Sequence, residues 1–161
     1  MTAISILYAS GGADVLIPTL ELACSAWDSP VLLCRGYEDQ TCTTEDARTL
    51  TFLACGMELA LPARDNKGAQ NLTFAIDNVT GDAQRLLDQA LEAGERVSLT
   101  YRVFLSSDKS APAEPPYYFT VLSGRMVGPQ VQLTAGFFNA IGTAWPRRLY
   151  TTAFAPGVKY L

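Results

Sequence analysis

Residues 71–105 read "NLTFAIDNVTGDAQRLLDQALEAGERVSLTYRVFL", and the change of period inside this stretch decides the fold class. Leu72, Phe74 and Ile76 alternate with polar or small residues, as do Val97, Leu99, Tyr101, Val103 and Leu105. Alternation of this kind is the pattern of a strand with one buried face. Between the two runs, Ala83, Leu86, Leu87, Ala90 and Leu91 recur at i, i+3, i+4, i+7 and i+8, one apolar stripe of a helix spanning about residues 80–93. Thr80 or Asp82 is placed to cap its start, and Gly94 to end it in the left-handed conformation. The stripe is narrow and rich in alanine, so the helix is expected to lie close against a sheet.

Period two extends outward from this centre. "YYFTVLSG" and "QVQLTAGF" place Phe119 and Val121, then Val131, Leu133 and Ala135, on one face. Earlier runs, "LIPTLELAC", "PVLLC" and "TLTFLACGMELALP", are strand-like with weaker alternation, and Pro18 in the first marks an edge position or a bulge. "SSDKSAPAEPP" (106–116) is a proline-rich hairpin loop and "RDNKGAQ" (64–70) a turn, whereas "YEDQTCTTEDARTL" (37–50) reads as a long loop or a short helical turn. The expected architecture is α+β: one mostly antiparallel, sandwich-like sheet domain over residues 1–142 with one packed helix, followed by an extended segment over 143–161.

The totals narrow the function. A chain of 161 residues suits one domain, and charged residues make up only 17% against 48% hydrophobic ones, a balance that favours subunit contacts. A net charge of −4 argues against nucleic-acid binding, and no apolar run is long enough to span a membrane. The opening residues lack the basic start and long apolar core of a secretion signal, so Cys24, Cys34, Cys42 and Cys55 are expected to stay reduced. Their spacing contains no C-x-x-C and the chain has no histidine, so neither a metal nor another cofactor is expected.

Candidates for chemistry are few. Absence of histidine removes the Ser-His and Cys-His pairs, and no phosphate-binding glycine motif occurs. Glu38–Asp39 and Glu45–Asp46 are the carboxylate pairs available to a hydrolase. Adjacent residues on a strand point to opposite faces, so solvated loop acids are the expectation and catalysis is not. An aromatic platform of Trp27, Tyr117, Tyr118 and Phe119 is the basis of an alternative function, a β-rich carbohydrate- or receptor-binding module. Aromatics gathered in a concavity around Trp27 and Tyr117 would favour that alternative.

The closing segment, "TAWPRRLYTTAFAPGVKYL" (143–161), is too apolar for a solvated tail and too interrupted by proline for a core strand. It is expected to pack on its own sheet, on a neighbouring subunit, or on both. Trp145, Arg147, Arg148, Tyr150, Phe154 and Tyr160 are the candidate interface residues, because aromatics and arginine dominate such contacts.

The order strand–helix–strand over 71–108, the proline-rich loop, and the ending "WPRRLYTTAFAPG" together resemble a family of small phage tail proteins encoded near the tape-measure and tail-tip genes. More distantly, the chain is similar to the N-terminal part of lambda-like minor tail protein L. The resemblance implies a structural minor tail protein of the virion tail tip or baseplate, assembled in the host cytoplasm. Its implied partners are other tail proteins: the distal tail ring, the hub and the end of the tape measure. A homo-oligomeric ring, a trimer or hexamer, is implied as well. Lambda-like protein L continues into a cysteine-rich region with an iron–sulfur cluster. The cysteines here lie at the other end of the chain, so no cluster is carried over.

Overall fold

The alternating runs become strands whose apolar faces meet in one core, in a computed structural model that describes residues 14–60, 71–77, 82–128, 130–137, 154 and 157. Among these residues the order is β1 (Leu16–Ala23), β2 (Val31–Arg35), β3 (Gln40–Thr43), β4 (Thr49–Cys55), β5 (Met57–Ala60), β6 (Asn71–Asp77), α1 (Asp82–Ala93), β7 (Ser98–Leu105), β8 (Tyr117–Val127) and β9 (Gln130–Gly136). The strands form one sheet in the order β3-β4-β2-β1-β7-β8-β9-β6-β5. Every pairing is antiparallel except β2 with β4. The class is therefore α+β and rich in strand, as the periodicity predicts.

One covalent detail makes the sheet roll. β4 and β5 lie far apart in strand order, yet only Gly56 separates Cys55 from Met57. Two trans peptide units span at most about 7 Å. The two strands are thus one bent strand that exchanges partners at Gly56 and draws the far sides of the sheet together. Leu20, Leu99, Leu72, Phe74, Met57 and Val131 belong to a single enclosed apolar cluster fed from both ends of the order. A continuous core inside one rolled sheet takes the place of two stacked sheets.

β1 and β7 are buried on both faces, which simple alternation does not anticipate. Leu20 and Leu22, with Leu99, Tyr101 and Val103, point into the main core. Ile17 and Phe104 point the other way, into a second cluster with Cys34, Cys42 and Phe52. Phe52 and Phe104 meet with ring centroids 6.3 Å apart. β3 covers this second cluster, and the 106–116 loop holds it there. The Thr43 amide donates to the Lys109 carbonyl at 2.8 Å, and Lys109 Nζ to Gln40 Oε1 at 2.6 Å.

Three local expectations change. Within 37–50 the chain forms edge strand β3 rather than a continuous loop, since pairing with β4 supplies a register that Gln40, Thr41 and Thr43 do not announce. Pro18 lies in an interior strand, paired with Val103, but β2 pairs with β1 only from Thr19 onward. The Val15 carbonyl accepts the Ser106 amide, so in antiparallel alternation the Pro18 nitrogen faces the side that β2 does not reach. Leu91 is 77% exposed. Eight residues after Ala83 it stands about 80° round the helix, at the margin of the predicted stripe. Ala90 is buried and Leu86 half-buried, as expected; the side chains of Ala83 and Leu87 lie outside the described residues. Thr80 and the 64–70 turn lie outside them too.

Helix α1 ends where expected. Gly94 has φ 68°, its amide donates to Leu91, and the Glu95 amide reaches back to the Ala90 carbonyl at 3.1 Å. Because α1 joins the antiparallel strands β6 and β7, it lies at one end of the sheet, the end that also holds the β8–β9 turn and the β1–β2 loop. Trp27 of that loop donates its indole N–H to the Leu86 carbonyl at 2.8 Å and fastens the helix in place.

Candidate functional site

Among the described residues, two places concentrate groups able to act on something outside the chain: an ion-pair network beneath the β3–β4 turn, and an apolar groove between α1 and β8.

The network is built from neighbouring strands. Glu21 of β1 and Arg102 of β7 project to the second, outer face, where the β3–β4 turn closes over them. Arg102 is 2% exposed. Its Nη1 donates to Glu21 Oε2 at 2.6 Å, while Nε and Nη2 donate side-on to the two oxygens of Glu45, each at 2.7 Å. Arg48 bridges to Glu21 at 3.1 Å and lies 3.6 Å from Asp46. The Tyr118 hydroxyl donates to Glu45 Oε1 at 3.2 Å. Thr44 anchors the turn by donating its amide and hydroxyl to the Arg48 carbonyl, and Ala47 takes the left-handed conformation with φ 59°.

Electrostatics follow from this geometry. The hydrogen bonds from Arg102 hold the Glu45 carboxyl down at about 2, against an opposing effect of burial. Burial works against the charge on Arg102, but the hydrogen bonds and charges of Glu45 and Glu21 outweigh it, and its pKa is raised. A carboxyl that stays ionised to about pH 2 is a poor proton donor, so Glu45 is unsuited to the general-acid role in glycoside cleavage. Its sequence neighbour Asp46 is turned toward Arg48 instead. Asp39 accepts the Ala54 amide at 2.8 Å, and capping the backbone of β4 is its structural work.

The aromatic candidates are used internally as well. Trp27 and Tyr117 both pack against the main core, the former fixing the helix. Tyr117 lies 6.2 Å from Tyr101 and 6.5 Å from Phe119, ring to ring. Tyr118 is exposed, with its hydroxyl committed to Glu45. The four cysteines are free thiols. Cys34 and Cys42 are buried, and burial raises both thiol pKa values. Cys34 also donates to the Phe52 carbonyl at 3.4 Å. Among the described residues no cluster of three or more His, Cys, Asp or Glu is placed to hold a metal, and no helix is long and apolar enough to cross a membrane.

The groove was not anticipated. A cavity of about 460 Å³ opens between the last turns of α1 and the second half of β8. Ala90, Val97, Val121 and Val131 form its floor, and Leu91, Leu122 and Met126 stand at its mouth. The register of β8 against β9 slips here: Val121 faces Ala135 and Ser123 faces Thr134, leaving Leu122 as an extra residue. Gly136 makes room for it, since a Cβ at that position would come 2.8 Å from Leu122 Cδ1. Sequence signals for the groove exist in retrospect: Leu91 at the stripe's margin, and apolar Leu122, Met126 and Val127 on both parities of one strand.

Of the predicted interface residues, Trp145, Arg147, Arg148, Tyr150 and Tyr160 lie outside the described residues. Phe154 is 71% exposed.

A family model described as a domain of unknown function, DUF1833, matches residues 2–150. No curated protein matches the chain significantly.

Two outcomes test the network. Replacing Arg102 with Met leaves the nearly buried Glu21 with only the half-exposed Arg48 and deprives Glu45 of its arginine partner, and is expected to lower stability by about 3–5 kcal/mol in urea unfolding. Glu21→Met/Arg102→Met removes the most buried carboxylate as well and should recover part of that loss, Glu45 still lacking its arginine partner; additive losses would contradict the pairing. Glu45 titrates near 4.5 when unfolded and about 2 when folded, so its stabilisation is complete above pH 4.5 and disappears as pH falls toward 2. Glu45→Gln should flatten the stability profile between those pH values relative to the parent.

Proposed function

This chain belongs to the DUF1833 family, and we propose that it is a structural component of a phage tail tip or baseplate that works through protein–protein contacts without catalysis. The observation that carries this reading is how the described surface divides its resources. The arginine–carboxylate network is engaged within the fold, and so are most of the aromatics proposed for ligand stacking. Leu91, Leu122 and Met126, by contrast, stand exposed around one groove between α1 and β8. Exposed apolar side chains gathered on one face are what an assembly protein offers to a neighbour.

The order of elements supports the same function. The strand, helix, strand and proline-rich loop on which the likeness to small tail proteins rests occur at β6, α1, β7 and the 106–116 connection. Scarce charge is consistent with a protein that spends its working life in contact with others. Catalysis would need a proton donor that titrates in a useful range, and Glu45 is held far below it.

Mass spectrometry of purified, nuclease-treated particles made from the genome that encodes this chain tests the proposal. The protein should copurify with tails at a fixed number of copies per particle. Absence from particles, with abundant protein left in the lysate, would overturn it.

A further inference from the structure

We propose that the second half of β8 is an open strand edge that binds an extended segment of a partner protein as an added antiparallel strand, the segment carrying an acidic residue between two large apolar ones. The proposal rests on the assembly function above and names the chemistry of its contact.

Hydrogen-bond direction along β8 is the first observation. The Val121 amide donates to the Val97 carbonyl at 2.9 Å, so Phe119 and Val121 bond toward β7 and Thr120 toward β9. Past the slip at Leu122, two residues separate Val127 from its partner Gln130, and the pair closing so short a hairpin is a hydrogen-bonded one. Ser123, Arg125 and Val127 therefore bond to β9, while the N–H and C=O groups of Gly124 and Met126 point the other way. Both ends of the strand give the same answer. Thr120, Ser123, Arg125 and Val127 meet Gly136, Thr134, Gln132 and Gln130, which share one parity of β9.

What those groups face is the second observation. β7 begins at Ser98, opposite Thr120, and the chain before it turns away toward α1. Among the described residues no strand continues β7 beside Leu122–Val127, and all six of these residues are exposed. Glu95, Arg96 and Val97 line one side of the groove, and Leu122 to Met126 the other. The groove is thus the place that a further strand would take. Such an edge is completed by another extended backbone.

Cross-strand neighbours set the side chains of the partner. Gly124 and Met126 lie on the core face, opposite buried Leu133 and Val131. Residues paired with them enter over the apolar floor, and the one beside Gly124 gains the room of a missing side chain, which suits an aromatic. Arg125 lies on the other face, where its Nε donates to Gln132 Oε1 at 2.9 Å; an acid opposite it completes a charged pair. The charged lining as a whole, Asp88, Glu95, Arg96 and Arg125, sums to zero, so this cross-strand position rather than net charge selects the partner. A second copy fits less well: in the register that pairs Gly124 with Met126 in both directions, the two Arg125 side chains oppose each other.

Amide NMR of the full chain with a synthetic peptide, acetyl-Ser-Val-Glu-Phe-Ser-amide, tests the contact. Run antiparallel, its valine, glutamate and phenylalanine face Met126, Arg125 and Gly124. In a titration to about 2 mM, which reaches weak affinities, the Gly124 and Met126 amides should shift strongly. Those of Ser123 and Arg125, already bonded to β9, should shift far less. Methylating the phenylalanine nitrogen alters the peptide alone and should weaken binding about tenfold. Arginine in place of glutamate should weaken it about fivefold. Gly124→Pro deletes an outward donor and no bond to β9, and should abolish binding in a chain whose fold circular dichroism confirms. No shift at Gly124 and Met126, equal binding of the methylated or arginine peptide, or protection of the same two amides by self-association would each overturn the proposal. A chain that fails here but is found in purified particles leaves the tail function standing and refutes only this contact.

Discussion

The guanidinium of Arg102, nearly without solvent, is the constraint that the outer half of this fold is arranged around. A full charge on β7 is tolerable there only because Glu21 on the adjacent β1 and Glu45 in the β3–β4 turn take up its donors. That requirement fixes where the turn must sit and closes β3 over Cys34, Cys42, Phe52 and Phe104. It also explains why Glu45 is unsuited to act as a catalytic acid: its charge is engaged in holding two layers of the same molecule together.

The inner half rests on a different device. Gly56 links the second strand of the sheet order to the last, so the sheet curls around its apolar face and needs no second sheet to cover it. Helix α1 then closes one end, fastened by Trp27, and its last turn stands slightly off β8. Gly136 and the slipped register at Leu122 shape the resulting gap. A core filled from within leaves the groove's apolar side chains with no internal task, and that is why assembly is the function we favour over catalysis or sugar binding.

Much of this was legible in the residues. Leu72, Phe74 and Ile76, and Val131, Leu133 and Ala135, are buried as their spacing predicts, because each lies on a strand with a single core face. Gly94 ends the helix as a left-handed glycine should. What escaped notice depends on contacts distant in sequence. Edge strand β3 is polar because β4 alone defines it. Arg102 falls on what alternation marks as the solvent face, and only Ile17 and Phe104 on that same face hint that it is covered. The groove arises from a one-residue slip and a helix margin, neither of which has a periodic signature. The rolled sheet could have been suspected from "TLTFLACGMELALP", whose length exceeds a typical strand and whose middle is a glycine.

An electron cryomicroscopy reconstruction of the native tail tip, at a resolution that traces side chains, addresses the central claim most directly. The account requires this chain in the tail tip, with the exposed apolar side chains Leu91, Leu122 and Met126 covered by a neighbouring protein. A tail tip in which those side chains face open solvent, or one without this polypeptide, would contradict it.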